Sequence, residues 1–170
     1  MFSLKKSEEI LYNKIIFLSR NKLLYEEFGL KDTFQNRINL IFIHISFIFI
    51  KIKNANSDSN FKNFYQKMFN FIFKKVELNM RELGFGDTNV NKKMKFLVKS
   101  FYNILFFCEK FNEKRKEYKR TFFKDYLKCN INKKTANYDN LIVYFQDFQT
   151  FCFDLSSDSV LKGEFKFKFN

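Results

Sequence analysis

Apolar residues recur at three- and four-residue spacing through most of this chain, the period of amphipathic helices rather than strands. Leu11, Ile15, Leu18 and Tyr25 mark a first helix over about 8–28, with Ser7, Glu8 and Glu9 at its start and Gly29 at its end. Asp32 and Gln35 have the spacing of a capping box and open a second helix over about 33–53. Its segment Leu40 to Ile50 is apolar on nearly every side, which predicts a central helix contacted from several directions. The β-branched isoleucines keep a strand as the alternative. Ile38 to Ile50 is only 13 residues, short of the roughly 20 that cross a bilayer. Polar Asn54 to Asn60 predicts a linker too short to separate domains.

Phe61, Tyr65, Met68, Ile72, Val76 and Leu83 then give a third helix over about 61–83, stopped by Gly84. Val90, Met94, Leu97, Phe101, Leu105 and Cys108 give a fourth over about 90–111, with Lys92, Lys95, Lys99, Asn103 and Lys110 off the stripe. A shorter helix through Phe122 and Tyr126 ends near Lys128, and Leu141, Tyr144 or Phe145, Phe148, Cys152 and Leu155 predict a last one over about 138–155. Gly163 to Asn170 alternates Phe and Lys, the pattern of an extended tail that packs along the bundle or frays. The expectation is an all-α, single-domain, irregular bundle of about six helices, with its core over about 8–156 and a short extended C-terminal tail over 157–170.

Composition sharpens this picture. Four Gly and no Pro in 170 residues disfavour turn-rich β folds, and 46% hydrophobic residues exclude global disorder. The net charge is +13, which draws a surface toward anionic lipid, RNA or acidic protein. That charge must be discounted, because the chain is rich in Phe, Lys, Asn and Ile and poor in Ala, Gly and Pro, the division between AT-rich and GC-rich codons. Cys108, Cys129 and Cys152 are odd in number and lack metal-ligand spacing, so reduced thiols are expected. The N-terminus has the pattern of neither a signal peptide nor a transit peptide.

Catalytic constellations are missing from the sequence. There is one histidine, His44, on the most apolar helix, where a hydrogen-bonded core residue is the expected role. Gly84-Phe85-Gly86 follows a helix and lacks the third glycine of a dinucleotide loop. No cofactor or metal is expected. The informative segment runs from Glu77 to Asp87. Glu77 and Arg81 form an i,i+4 pair in the favourable order, and Gly84 permits the left-handed residue that ends the helix. Glu82 and Asp87 flank the turn, with Lys92, Lys93 and Lys95 close behind. Two roles stay open for these charges: ordinary ion pairs holding a corner, or a surface presented to a partner.

The run from Met80 to Tyr102, MRELGFGDTNVNKKMKFLVKSFY, resembles the signature of the ubiquinol–cytochrome c chaperone family. The resemblance extends back through Tyr12, Arg20, Asp32-Thr33, Arg37 and Ile43-His44, and forward to Tyr144 and Gly163, covering about residues 10–165. Lys75 departs from it, standing where the family has an acidic neighbour for Glu77, as do Asn91, Asn103 and Ile104. The resemblance implies an all-helical, non-catalytic chaperone that binds newly made cytochrome b and assists assembly of respiratory complex III. It implies Arg81, Glu82, Asp87, Lys93, Lys95 and Tyr102 as client- or partner-binding residues. Asp32, Arg37, His44, Glu77, Gly84 and Gly86 are the structural part of the motif. Partners by this resemblance are nascent cytochrome b, a ribosome near its exit tunnel and a small companion protein; the basic surface adds an anionic membrane surface, and no DNA is expected. The expected location is a bacterial cytoplasm, peripheral to the inner membrane.

A basic helical protein that binds ribosomes or RNA, without a membrane-protein client, is the competing class. Against it, lysines outnumber arginines 26 to 5, whereas base-reading contacts favour the arginine fork. A thiol enzyme using Cys108 ranks third and requires a depressed thiol pKa.

Overall fold

Every residue from Ile38 to Ile50 is buried, and the rest of the molecule is arranged to bury them. The computed structural model describes residues 6–55, 58–130 and 138–169. Among these are α1 (Ser7–Ser19), α2 (Lys22–Glu26), α3 (Phe34–Ala55), α4 (Asp58–Glu82), α5 (Asp87–Glu109), a 3-10 turn at Phe111–Glu113, α6 (Lys116–Tyr126), α7 (Tyr138–Asp154) and α8 (Ser157–Leu161). Helix α3 is the axis, touching α1, α4, α5, α7 and α8. By length and composition it is apolar enough to cross a membrane, longer than its 13-residue apolar core predicts, but 78% of that window is covered by the other helices. The fold is all-α, and the strand alternative for Leu40 to Ile50 is excluded. Among the described residues β-type pairing is confined to one antiparallel bridge, Leu30 with Cys129.

Packing around α3 is unusually aromatic. Phe42 and Phe49 meet Phe101 of α5, and Phe47 meets Phe111, Phe145 and Phe148 at ring separations of 5.4–6.3 Å, mostly edge to face. Such pairs add a directional preference to area burial, so the Phe-rich composition fixes rotamers as well as filling space. Buried polar groups in α3 are matched one by one. Asn36 donates to the carbonyls of Lys31 and Lys128 and accepts from the Lys128 amide at 2.8–2.9 Å, while Asn39 donates to the Tyr126 carbonyl at 2.6 Å. Two asparagines thus clamp the irregular segment after α6 against the entry of α3, satisfying backbone groups that helix ends leave open.

Several expectations are corrected. The first helix is two: Asn21 leaves the helical backbone at ψ 123°, and its side chain accepts from the Leu23 amide at 3.1 Å, recapping a new helix. Ser7 lies inside α1, with Lys6 at the cap position and no side-chain cap. Asp32 does not form a capping box with Gln35. Thr33 Oγ1 accepts from the Asn36 amide at 3.2 Å, and Asp32 instead takes a two-point contact from Arg37 at 2.7 and 2.9 Å. The linker is shorter than Asn54 to Asn60, since α3 reaches Ala55 and α4 starts at Asp58; residues 56 and 57 lie outside the described residues. Leu83 is 61% exposed, and Met80 holds the inward position instead. The described residues contain eight α-helical segments rather than about six, because of the split first helix and the short α8 inside the predicted tail.

The tail beyond α8 is extended and packs. Phe165 is buried, Phe167 meets Phe148 at 5.2 Å, and Phe169 meets Phe28 and Tyr144 at 5.8 and 5.5 Å. Gly163 makes this possible: its φ is +67°, and a Cβ there would stand 3.0 Å from the Ile10 side chain.

A corner and groove as the candidate functional site

The α4–α5 corner is built by a left-handed helix stop. Gly84 has φ +90°, its amide donates to the Arg81 carbonyl at 3.0 Å, and the Phe85 amide reaches back to the Met80 carbonyl at 3.2 Å. Gly86, the second glycine of the motif, is not in the left-handed region. Its φ is −73°, and a Cβ there would touch nothing within 4 Å. It stands at the N-cap of α5, where no side chain caps the first amides.

Across this corner Arg81 bridges Glu77, at 3.1 Å, and Asp87, the first residue of α5. These two hydrogen-bonded carboxylates, Asp87 foremost, hold the guanidinium above its already high pKa. Asp87 is nonetheless 83% exposed, so it both ties the corner and faces solvent. Glu82 is exposed and forms no ion pair among the described residues. Lys93 is half-buried, its ammonium 4.9 Å above the Phe85 ring and 5.9 Å from that of Phe34, which joins α5 to the entry of α3.

Glu82 and Leu83 also line a groove of about 220 Å³ between α1, α3 and the end of α4. Ile16, Phe34, Ile38 and Ile41 supply its apolar lining. Arg20 and Arg37 enter it from α1 and α3, Asn79 and Glu82 from α4. Arg37 is held by Asp32, whose carboxyl the hydrogen bond from Arg37 keeps below the usual range. The motif residue Arg37, remote from the corner in sequence, therefore reaches the same groove, with Asp32 holding it from outside. Small-molecule sites run to about 300–1,000 Å³, so the groove suits one anchoring apolar side chain of a protein better than a cofactor.

The predicted binding residues divide. Arg81, Glu82, Asp87 and Lys93 come together at the corner. Lys95 and Tyr102 lie on the outward face of α5, and Tyr102, 15 positions beyond Asp87, is about 22 Å along the helix axis. Its ring stacks at 6.1 Å on Phe69. Lys75, the departure beside Glu77, sits 5.5 Å from the Phe71 ring. Phe34, Asn79 and Leu83 were not singled out as site residues. Leu83 read as one more core position, and only the chain reversal at Gly84 leaves it outside.

His44 is fully buried, as the sequence predicts for a core histidine. Its Nδ1–H donates to the Leu40 carbonyl at 2.7 Å, which fixes the tautomer, and Nε2 accepts from the Tyr144 hydroxyl at 2.9 Å. Burial pushes its pKa down to about 4, with the Leu40 hydrogen bond opposing. Burial likewise raises the thiols, Cys108 strongly and Cys152 to about 12, the opposite of an activated nucleophile. Among the described residues no group of three His, Cys, Asp or Glu side chains is placed to hold a metal ion.

The family described as ubiquinol–cytochrome C chaperone matches residues 26–167, which include α3, the corner, α5 and most of the tail. The chain belongs to that family. It is a family of chaperones for complex III assembly. The match starts after Tyr12 and Arg20, so those two positions of the resemblance lie outside it. The fold is similar to that in the crystal structure of the Cbp3 homolog from Brucella abortus, with a TM-score of 0.78 at 20% identity over 95% of this chain and 88% of that one. No curated protein matches the chain.

Proposed function

We propose that this chaperone binds newly made cytochrome b at the groove and corner formed by α1, α3, α4 and the start of α5, and acts without catalysis. The observation that carries the reading is an uncovered apolar groove at the family-signature corner, with Leu83 exposed at its edge and charges of both signs lining it. An apolar client side chain can anchor there while polar groups beside it orient the chain. Non-catalysis rests on the chemistry of the available groups, a neutral and fully partnered histidine and protonated buried thiols.

A photo-crosslinker placed at Leu83 tests this in cells. Cytochrome b is the expected adduct, and Glu82→Gln should abolish it while the melting temperature stays at the wild-type value. Deletion of the protein should lower assembled complex III and membrane haem b and spare other respiratory complexes. Crosslinks confined to other proteins, with complex III unchanged in the deletion, would overturn the reading. The competing RNA-binding class rests on net charge and leaves the groove without a role.

A further inference from the structure

Between Asp87 and Glu109 the sequence of α5 contains no acidic residue. Its inward stripe, Val90, Leu97, Phe101, Ile104 and Cys108, is buried. The opposite face carries Lys92, Lys95, Phe96, Lys99, Tyr102 and Phe106, all exposed, with Phe96 at 61% and Phe106 at 65%. At 100° per residue these six fall within about a third of the helix circumference, and the two phenylalanines are about 15 Å apart along the axis. None of the three lysines forms an ion pair among the described residues. Codon bias raises the number of lysines and phenylalanines everywhere. It does not explain a helix face cleared of carboxylates with its largest apolar rings turned outward.

We infer that this face of α5 docks on an anionic phospholipid surface. The lysines reach phosphate groups with their ammonium ends while their alkyl stems lie along the interface, and Phe96 and Phe106 enter the headgroup–acyl boundary. Charge complementarity selects an anionic partner, and the outward phenylalanines select one with an apolar layer beneath its charge. RNA is the other polyanion of consequence, but the face has no arginine to fork onto phosphates or bases. The strip starts about 8 Å along the axis from Asp87, so a chain docked along it holds the corner close to the bilayer. This inference stands whether or not cytochrome b is the client.

The chain contains no tryptophan, so Phe96→Trp places one indole on the face, excited selectively over the tyrosines. The full-length protein is mixed with phosphatidylcholine vesicles, with and without phosphatidylglycerol, and both flotation and Trp emission are followed. Binding and a blue shift are expected with the anionic vesicles alone, weakening as salt is raised. Replacing Lys92, Lys95 and Lys99 together by Gln should lower vesicle affinity about a hundredfold, roughly fivefold per lysine. Phe96→Ser with Phe106→Ser should lower it about tenfold. The control replaces Lys62, Lys67 and Lys74, exposed on α4, and should retain at least most of the affinity. Equal loss in that control would show net charge rather than this face at work. Binding without a blue shift, or binding of a structured RNA but not of vesicles that the α5 variants abolish, would also overturn the inference. Circular dichroism of each variant checks that the exposed substitutions leave the fold intact.

Discussion

The two ends of the family motif meet opposite fates. Around α3 the buried polar groups are answered from within the chain: the motif residue His44 by Leu40 and Tyr144, and beside it Asn36 by Lys31 and Lys128 and Asn39 by Tyr126. At the α4–α5 corner Arg81 is answered by Glu77 and Asp87, yet Glu82 and Leu83 face outward beside an apolar groove open to solvent. A motif that looks uniform in sequence therefore contains a part that specifies the core and a part that specifies a surface. The physical difference is solvent. A buried polar atom without a partner loses its full hydration, so the core must be closed, whereas a surface charge keeps water until a partner displaces it.

The largest effect expected on this contrast is in the core. Phe47→Ala removes a ring that is 2% exposed and should cost about 3–5 kcal/mol in urea unfolding. A cost under about 1 kcal/mol would mean that the aromatic cluster repacks freely. Acid should also strike the core. His44 is lowered from 6.5 to about 4 in the folded chain, so the unfolded chain takes up its proton first as pH falls. The associated stability is present above about pH 6.5 and is lost progressively toward pH 4, on the order of 3 kcal/mol. A His44→Gln chain should show a flatter dependence on pH over that window.

Tyr144→Phe is a finer probe, removing the donor to His44 Nε2 while preserving the ring. It should cost about 1–3 kcal/mol, the penalty of a buried acceptor left unsatisfied. At the corner the order reverses between stability and binding. Asp87→Asn should lower the melting temperature slightly, because it loosens the Arg81 bridge. Glu82→Gln should leave it unchanged while eliminating the Leu83 crosslink. If Glu82→Gln lowers stability as much as Tyr144→Phe does, the division between a closed core and an open corner fails.

Much of the fold was legible. Thirteen consecutive apolar-rich positions, Ile38–Ile50, have no amphipathic face, and such a helix can be buried only by surrounding it. Gly84 announced a left-handed stop, and Glu77 with Arg81 announced the pair that precedes it. The break at Asn21 was less legible, because a side chain that caps a new helix also tolerates continuing an old one. Thr33 is hard to read as the cap of α3 because Asp32 offers the same spacing to Gln35, and only the position of Arg37 decides that Asp32 is an ion-pair partner.

Local pattern by itself determined the helical class, the central place of α3 and the corner. Those properties follow from periodicity and from backbone preferences that act over a few residues. Tertiary structure alone decided that His44 finds Tyr144 one hundred positions away, that Asn36 and Asn39 clamp the segment after α6, and that Leu83 lies on a groove shared with Arg20 and Arg37. Those facts depend on how helices are laid across one another. The sequence of one helix says which of its faces is apolar, but the neighbour that covers that face, or leaves it open, is chosen by the packing of the whole chain.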